Sequence, residues 1–190
     1  MNESARPSAI PGGRQGLAGQ GSGRDLGDLL GRRIPHVELE CCQGGPTPDL
    51  RALVLGFPVV ALYFYPGAER SPDGGEGTLL ADVAEHRAFH RRLDDFVALN
   101  YRPIGISSES ICDQRASVVA HGLQHLLLSD PDLLLATELG LPVFEHEGVE
   151  HYRRLTLIVV CGVVARVFFP IADAGRNASQ VLGWLRVHGL

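Results

Sequence analysis

Lysine is missing from this chain: all 17 of its positive charges are arginines. That pattern fits a coding bias toward arginine, and it removes Schiff-base and lysine-base mechanisms. Apolar runs of the roughly 20 residues needed to cross a bilayer are also missing. So is a surplus of positive charge, because 22 acidic residues outweigh the 17 basic ones and leave a net charge of −5. A general nucleic-acid or anionic-membrane binder is disfavoured on that ground. The first residues, MNESARPSAIPGGRQG, lack the charged start, apolar stretch and cleavage site of a secretory signal, so the expected location is the cytoplasm. Four cysteines, at 41, 42, 112 and 161, show neither Cys-x-x-Cys nor metal-ligand spacing. They are expected to be reduced thiols rather than zinc ligands.

What is there is the material of one domain. A chain of 190 residues can bury about two-thirds of its surface, and 45% hydrophobic with 21% charged residues is ordinary for a globular protein. The first 30 residues differ, with seven glycines, two prolines and three serines. Residues 1–25 are therefore expected to be a disordered extension and residues 26–190 the folded domain. Val59 to Tyr65 is a continuous apolar run closed by Pro66-Gly67, which predicts a strand buried on both faces. A helix pattern follows from Leu79 to Leu99, with Val83, Phe89, Leu93, Phe96 and Val97 on its apolar stripe. Arg102 to Ser107 reads as a second strand, and Ser108 to His121 as a helix capped by the Ser110 hydroxyl. Two helical turns over Asp132 to Leu139, a hairpin turning at Cys161-Gly162 and a last helix over 176–188 complete the chain. A parallel βαβ unit, an antiparallel hairpin and a closing helix make an α/β, thioredoxin-like three-layer fold, a mixed central sheet flanked by helices.

Several stretches resemble the peroxiredoxin family: Ile34 to Leu39, Val59 to Pro66 as VVALYFYP, Gly105-Ile106-Ser107, Leu127 to Asp132 as LLSDPD, Arg154-Leu155-Thr156 and Phe168-Phe169-Pro170. They occur in the family's order over residues 26 to 188. The resemblance implies a thiol-dependent oxidoreductase that reduces hydrogen peroxide or organic hydroperoxides, with a thiol reductant such as a thioredoxin and a homodimer as partners and no cofactor. It also implies a Pro-x-x-x-Thr/Ser-x-x-Cys loop after the core strand, and a distant arginine that stabilises the thiolate.

At the decisive position the sequence departs from that pattern. Counting from Pro66 gives Arg70 and Asp73, or with a slip of one residue Ser71 and Gly74, while counting back from Phe89 places the position near Asp82. No cysteine lies between 43 and 111, and neither Gly74 nor Asp82 can form a sulfenic acid. Cys112, two residues past the Ser110 cap, would sit in the first turn of a helix whose dipole favours a thiolate. It is the cysteine expected at the active edge, with a small packing residue as the plainer alternative. Cys161 is expected in a turn at the opposite edge. Cys41 and Cys42 are candidates for a redox sensor that cross-links subunits. Arg154 is the implied charge-stabilising residue, with Arg153 its competitor through a one-residue register change. Ser71 and the backbone near Gly74 would add donors.

The same glycine-rich loop lacks Gly-Lys-Ser/Thr and carries Asp73 and Glu76, against nucleotide binding. His86 and His90 share a helical face, with Glu85 or Asp82 beside them, but without His-Glu-x-x-His this reads as a solvated face. The alternative to a peroxidase is a catalytically inactive thioredoxin-fold binding or redox-sensing module.

Overall fold

A run such as Val59–Phe64, apolar at every position, makes a strand only where both of its faces are covered. In the computed structural model all six of its residues are buried at the centre of the sheet. The structure describes residues 26–67 and 77–189, so the glycine-rich extension, Ser71 and Gly74 lie outside the described residues.

A single 3-10 turn (Leu26–Leu29), a short strand β1 (Glu40–Cys41) and a helix α1 (Leu50–Leu55) lead into β2 (Val59–Phe64). Helices α2 (Gly77–Arg91) and α3 (Leu93–Ala98) return to β3 (Tyr101–Ser107), and α4 (Ile111–His121) returns to β4 (Leu126–Ser129). After α5 (Leu134–Leu139) come a hairpin of β5 (Val143–His146) and β6 (Val149–Tyr152), the strands β7 (Leu155–Val160) and β8 (Val163–Phe168), and α6 (Ala174–His188). The main sheet has six strands in the order β1-β4-β3-β2-β7-β8. Strands β3 and β4 run parallel to β2, β7 runs antiparallel to it, and the register pairs Phe64 with both Ile106 and Leu155. The carboxyl ends of β2 and β3 and the start of β7 therefore share one edge.

Alternation along β2 divides the core in two. Val60, Leu62 and Phe64 pack with Leu50, Val54, Leu135 and Leu139, whereas Val59, Ala61, Tyr63 and Tyr65 pack with Phe89, Phe96, Val181 and Leu185. Helices thus cover both faces in three layers, as expected of the fold class.

Local chemistry explains the boundaries. Ser110 caps α4, its hydroxyl accepting from the Asp113 N–H at 3.2 Å. The chain turns between β7 and β8 at Cys161 (φ 48°) and Gly162 (φ 76°), two left-handed residues that match strand twist. Cys161 is exposed there, at the edge opposite the start of β7, as its place in the sequence predicts. The helix expected over Leu79 to Leu99 is two helices, because Arg92 leaves helical geometry at ψ 6°. Helix α5 begins after Asp132 because Asp130 caps it, accepting from Leu134 N and Leu135 N at 2.9 and 3.0 Å and from the Tyr152 hydroxyl at 2.6 Å.

Gly105 shows how tightly the α2 side is packed. A Cβ built there would lie 2.5 Å from Leu127 Cδ2 and 2.6 Å from the Tyr63 hydroxyl. Gly105→Ala is expected to cost about 1–3 kcal/mol through overpacking, read as a lower urea midpoint; an unchanged midpoint would mean that the Tyr63 ring is free to move.

Candidate functional site

Helix α2 carries the polar residues of the site. Asp82, Glu85, His86 and Phe89 follow the i, i+3, i+4, i+7 spacing of one helical face, and that face is turned into the protein: Asp82, His86 and Phe89 are 3%, 2% and 0% exposed, and Glu85 is 0% exposed. The solvated face expected for His86 and its neighbours is thus the buried one. Its polar groups are tolerated because partners reach them from three other elements.

Arg154 is the residue before β7, and the antiparallel register puts it beside the carboxyl end of β2. One of its terminal nitrogens donates to Asp82 Oδ1 and the other to Glu85 Oε2. The second oxygen of Glu85 accepts from Asn177 Nδ2 of α6 at 2.7 Å, and the same amide donates to Thr156 Oγ1 at 2.8 Å. Arg153 faces elsewhere, its guanidinium 5.8 Å from the Phe144 ring centre.

Electrostatics follow from this geometry. Two buried carboxylates share one guanidinium, so one positive charge cannot neutralise both. Burial outweighs the attraction of Arg154 and pushes Asp82 up to about 8, with Glu85 and Glu109 adding to the rise. Burial raises Glu85 as well, while the two carboxylates outweigh burial at Arg154 and hold its proton more firmly. At neutral pH Arg154 is a cation and Asp82 holds its proton, with Glu85 raised by burial in the same direction. The titration belongs to the trio as a unit.

A second polar group lies deeper on the same side of the sheet. The Tyr63 hydroxyl sits 2.6 Å from His125 Nε2 and 3.0 Å from His86 Nδ1, and its ring stacks on Phe89 at 4.2 Å. Burial pushes His86 down to about 3 and His125 to about 4. Both imidazoles are therefore neutral at physiological pH. The phenol donates to one and accepts from the other, and because it meets Nδ1 of His86 and Nε2 of His125, both rings carry their proton on the same kind of nitrogen. At the carboxyl ends of β2 and β3, the two N–H groups of Gln114 Nε2 are shared among the Tyr65 hydroxyl, Ser107 Oγ and Leu128 O at 3.2, 3.0 and 2.8 Å. Ser107 Oγ in turn donates to buried Glu109 at 3.1 Å.

All four cysteines are free thiols. Cys112 is exposed in the first turn of α4, and Cys161 is exposed at the far turn. Cys41 and Cys42 both donate to Gln43 Oε1, at 3.4 and 3.0 Å. Cys42 is buried, and burial pushes its thiol up to about 11. The structure brings Arg154 together with Asp82 and Glu85, and no sulfur is among the described partners of its guanidinium. Tyr63, His125 and Asn177 are the site residues that sequence reasoning missed. The spacing of Asp82, Glu85 and His86 from Phe89 could have revealed the buried face of α2, but nothing local marks the other three.

Among the described residues no group of three or more histidine, cysteine or acidic side chains could hold a metal ion, and no helix is long and apolar enough to cross a membrane.

No family model matches the chain, and no curated protein matches it in sequence. Solved structures do match it. Peroxidoxin BcpB from Mycobacterium tuberculosis superposes with a TM-score of 0.69 at 22% identity, covering 84% of this chain and 97% of that one. A cysteine-to-serine mutant of Xylella fastidiosa PrxQ gives 0.70 at 20% identity, with 90% and 100% covered. Reduced Prx3 from Vibrio vulnificus, in complex with hydrogen peroxide, gives 0.68 at 21% identity, with 84% and 97% covered.

Proposed function

Starting from a chain that has the thioredoxin-like fold of the peroxiredoxins, we propose that it serves as a binding or regulatory module and does not turn over peroxide at Arg154. One observation carries this reading: both terminal nitrogens of Arg154 are taken by carboxyl groups, those of Asp82 and Glu85. Thiol peroxidase chemistry needs a thiolate to attack the peroxide and positive charge to stabilise the anions that form. Here the guanidinium's charge is already committed to a buried trio. None of the four thiols is among the described partners of that guanidinium. Cys42 is buried and held protonated, whereas Cys112 and Cys161 are exposed.

The second reading is thiol-dependent reduction of hydrogen peroxide or an organic hydroperoxide at Cys112, with a thioredoxin-type reductant. It is favoured by the start of α4 lying on the sheet edge where β2 and β3 end and β7 begins. The two readings separate in one experiment, a brief peroxide pulse on the reduced full chain with a sulfenic-acid trap, followed by mass spectrometry. The binding-module reading expects labelling no faster than that of a free cysteine, scattered over the exposed thiols, and Cys→Ser variants that consume peroxide like the parent. Fast, selective labelling of Cys112, with turnover abolished in Cys112→Ser, would replace it with the peroxidase. A reducible covalent dimer lost in Cys41→Ser or Cys42→Ser would instead place redox sensing in the β1 segment.

A further inference from the structure

At the edge of the sheet opposite Arg154, where β3 and β4 begin, the structure contains a cavity of about 260 Å³. Its walls are apolar, with Phe57 before β2, Val97 of α3, Ile104 of β3 and Leu126 of β4 among them. Val97 is 45% exposed, so the cavity opens to solvent at that side. Three polar side chains line it, Arg102, Gln124 and His125, and Gln124 is exposed.

Neither Arg102 nor His125 is fully used by the protein. The Arg102 guanidinium lies 4.9 Å over the Phe57 ring and donates from Nη1 to the Tyr101 carbonyl at 2.9 Å. Among the described residues it takes part in no ion pair. Its charge therefore stands beside an apolar chamber without a counter-ion. His125 is 3% exposed, its Nε2 is committed to Tyr63, and its Nδ1 is buried without a hydrogen-bond partner among the described residues. A buried imidazole nitrogen left unpaired carries a desolvation cost that a ligand atom would relieve.

We propose that this cavity binds a small amphiphilic monocarboxylate. The carboxylate would pair with Arg102, whose planar donors suit it. The hydrocarbon body would lie against Phe57, Val97, Ile104 and Leu126, with His125 Nδ1 marking the polar spot in the wall. One unpaired guanidinium balances one negative charge, which favours a monoanion over a phosphate ester. The volume equals that of about nine liquid waters, enough for an acid of about ten non-hydrogen atoms. The proposal rests on the binding-module reading only in assigning the fold a ligand; the site stands apart from the Arg154 trio.

The test is calorimetric titration of the full chain with octanoate and, separately, with uncharged 1-octanol, alongside ¹⁵N spectra of the histidine rings. Octanoate is expected to saturate one site and to shift the His125 signals, with 1-octanol weaker by about tenfold or more. Arg102→Gln should weaken octanoate by a similar factor and leave 1-octanol unchanged. Val97→Trp, which fills the mouth from an exposed helical position, should abolish both. No saturable binding below about 5 mM octanoate, equal binding of acid and alcohol, or unchanged binding in Val97→Trp would each overturn the proposal. None of these outcomes bears on peroxide consumption, so failure here and failure of the reading at Arg154 are distinguishable.

Discussion

Replacing Arg154 with methionine is expected to remove about 3–5 kcal/mol of stability, the scale on which a buried charge left without its partner destabilises a protein. Asp82 and Glu85 side chains are 4% and 0% exposed and Arg154 is 12% exposed, so water cannot replace the guanidinium as it would at a surface pair. The measurement is urea unfolding of parent and Arg154→Met at neutral pH, read as a lower midpoint at similar slope. The triple variant Asp82→Leu, Glu85→Met, Arg154→Met removes the charges together and is expected to recover most of the loss, because a buried ion network is costly to break rather than intrinsically stabilising. A single-variant loss below about 1 kcal/mol would mean that the trio is solvated and behaves like an exposed salt bridge.

The second large effect is a stability maximum near pH 6.5. His86 and His125 are held neutral, at about 3 and about 4 against an ordinary value of 6.5. Between those values and 6.5 the unfolded chain binds the extra protons, so stability rises with pH over that range. Asp82 has the opposite sign. Its folded value of about 8 lies above the ordinary 3.8, so between the two the native state binds the extra proton and stability falls as pH rises. The linkage limit for that one proton is about 1.4 kcal/mol per pH unit. Below 6.5 the two histidines outweigh Asp82; above it the raised carboxyl groups dominate and stability falls until about pH 8. Asp82→Asn keeps a carbonyl for Arg154 and removes the proton. The variant is therefore expected to gain on the parent from pH 6.5 to 8 and to lose the alkaline decline. Parallel profiles for the two proteins over that interval would show that Asp82 is already ionised in the native state.

What the sequence by itself determined was the scaffold. Val59 to Phe64 is apolar without a break, and only a central strand in a layered sheet can bury such a run on both sides. Ser110 three residues before Asp113 marked the start of α4, and Cys161-Gly162 marked the tight turn of the last hairpin, because caps and turns are satisfied by neighbours a few residues away. The hairpin of β5 and β6 was not legible, since Val143–His146 and Val149–Tyr152 are short and only partly apolar. Its place depends on packing such as Tyr152 against Phe64, rings 5.1 Å apart.

The candidate site was legible only as separate residues. Arg154 at the head of its strand and the polar positions of α2 were visible, but their meeting was not. Asp82 and Arg154 are 72 positions apart, and Glu85 and Asn177 are 92 apart. A carboxylate on a helix looks solvated until the fold decides which face turns inward. Tertiary structure turned that face inward, set one guanidinium between two acids, and placed Tyr63 between two histidines drawn from different elements. Short-range chemistry is written in neighbouring residues, whereas the protonation states that define this site depend on burial and on charges that only the folded chain brings together.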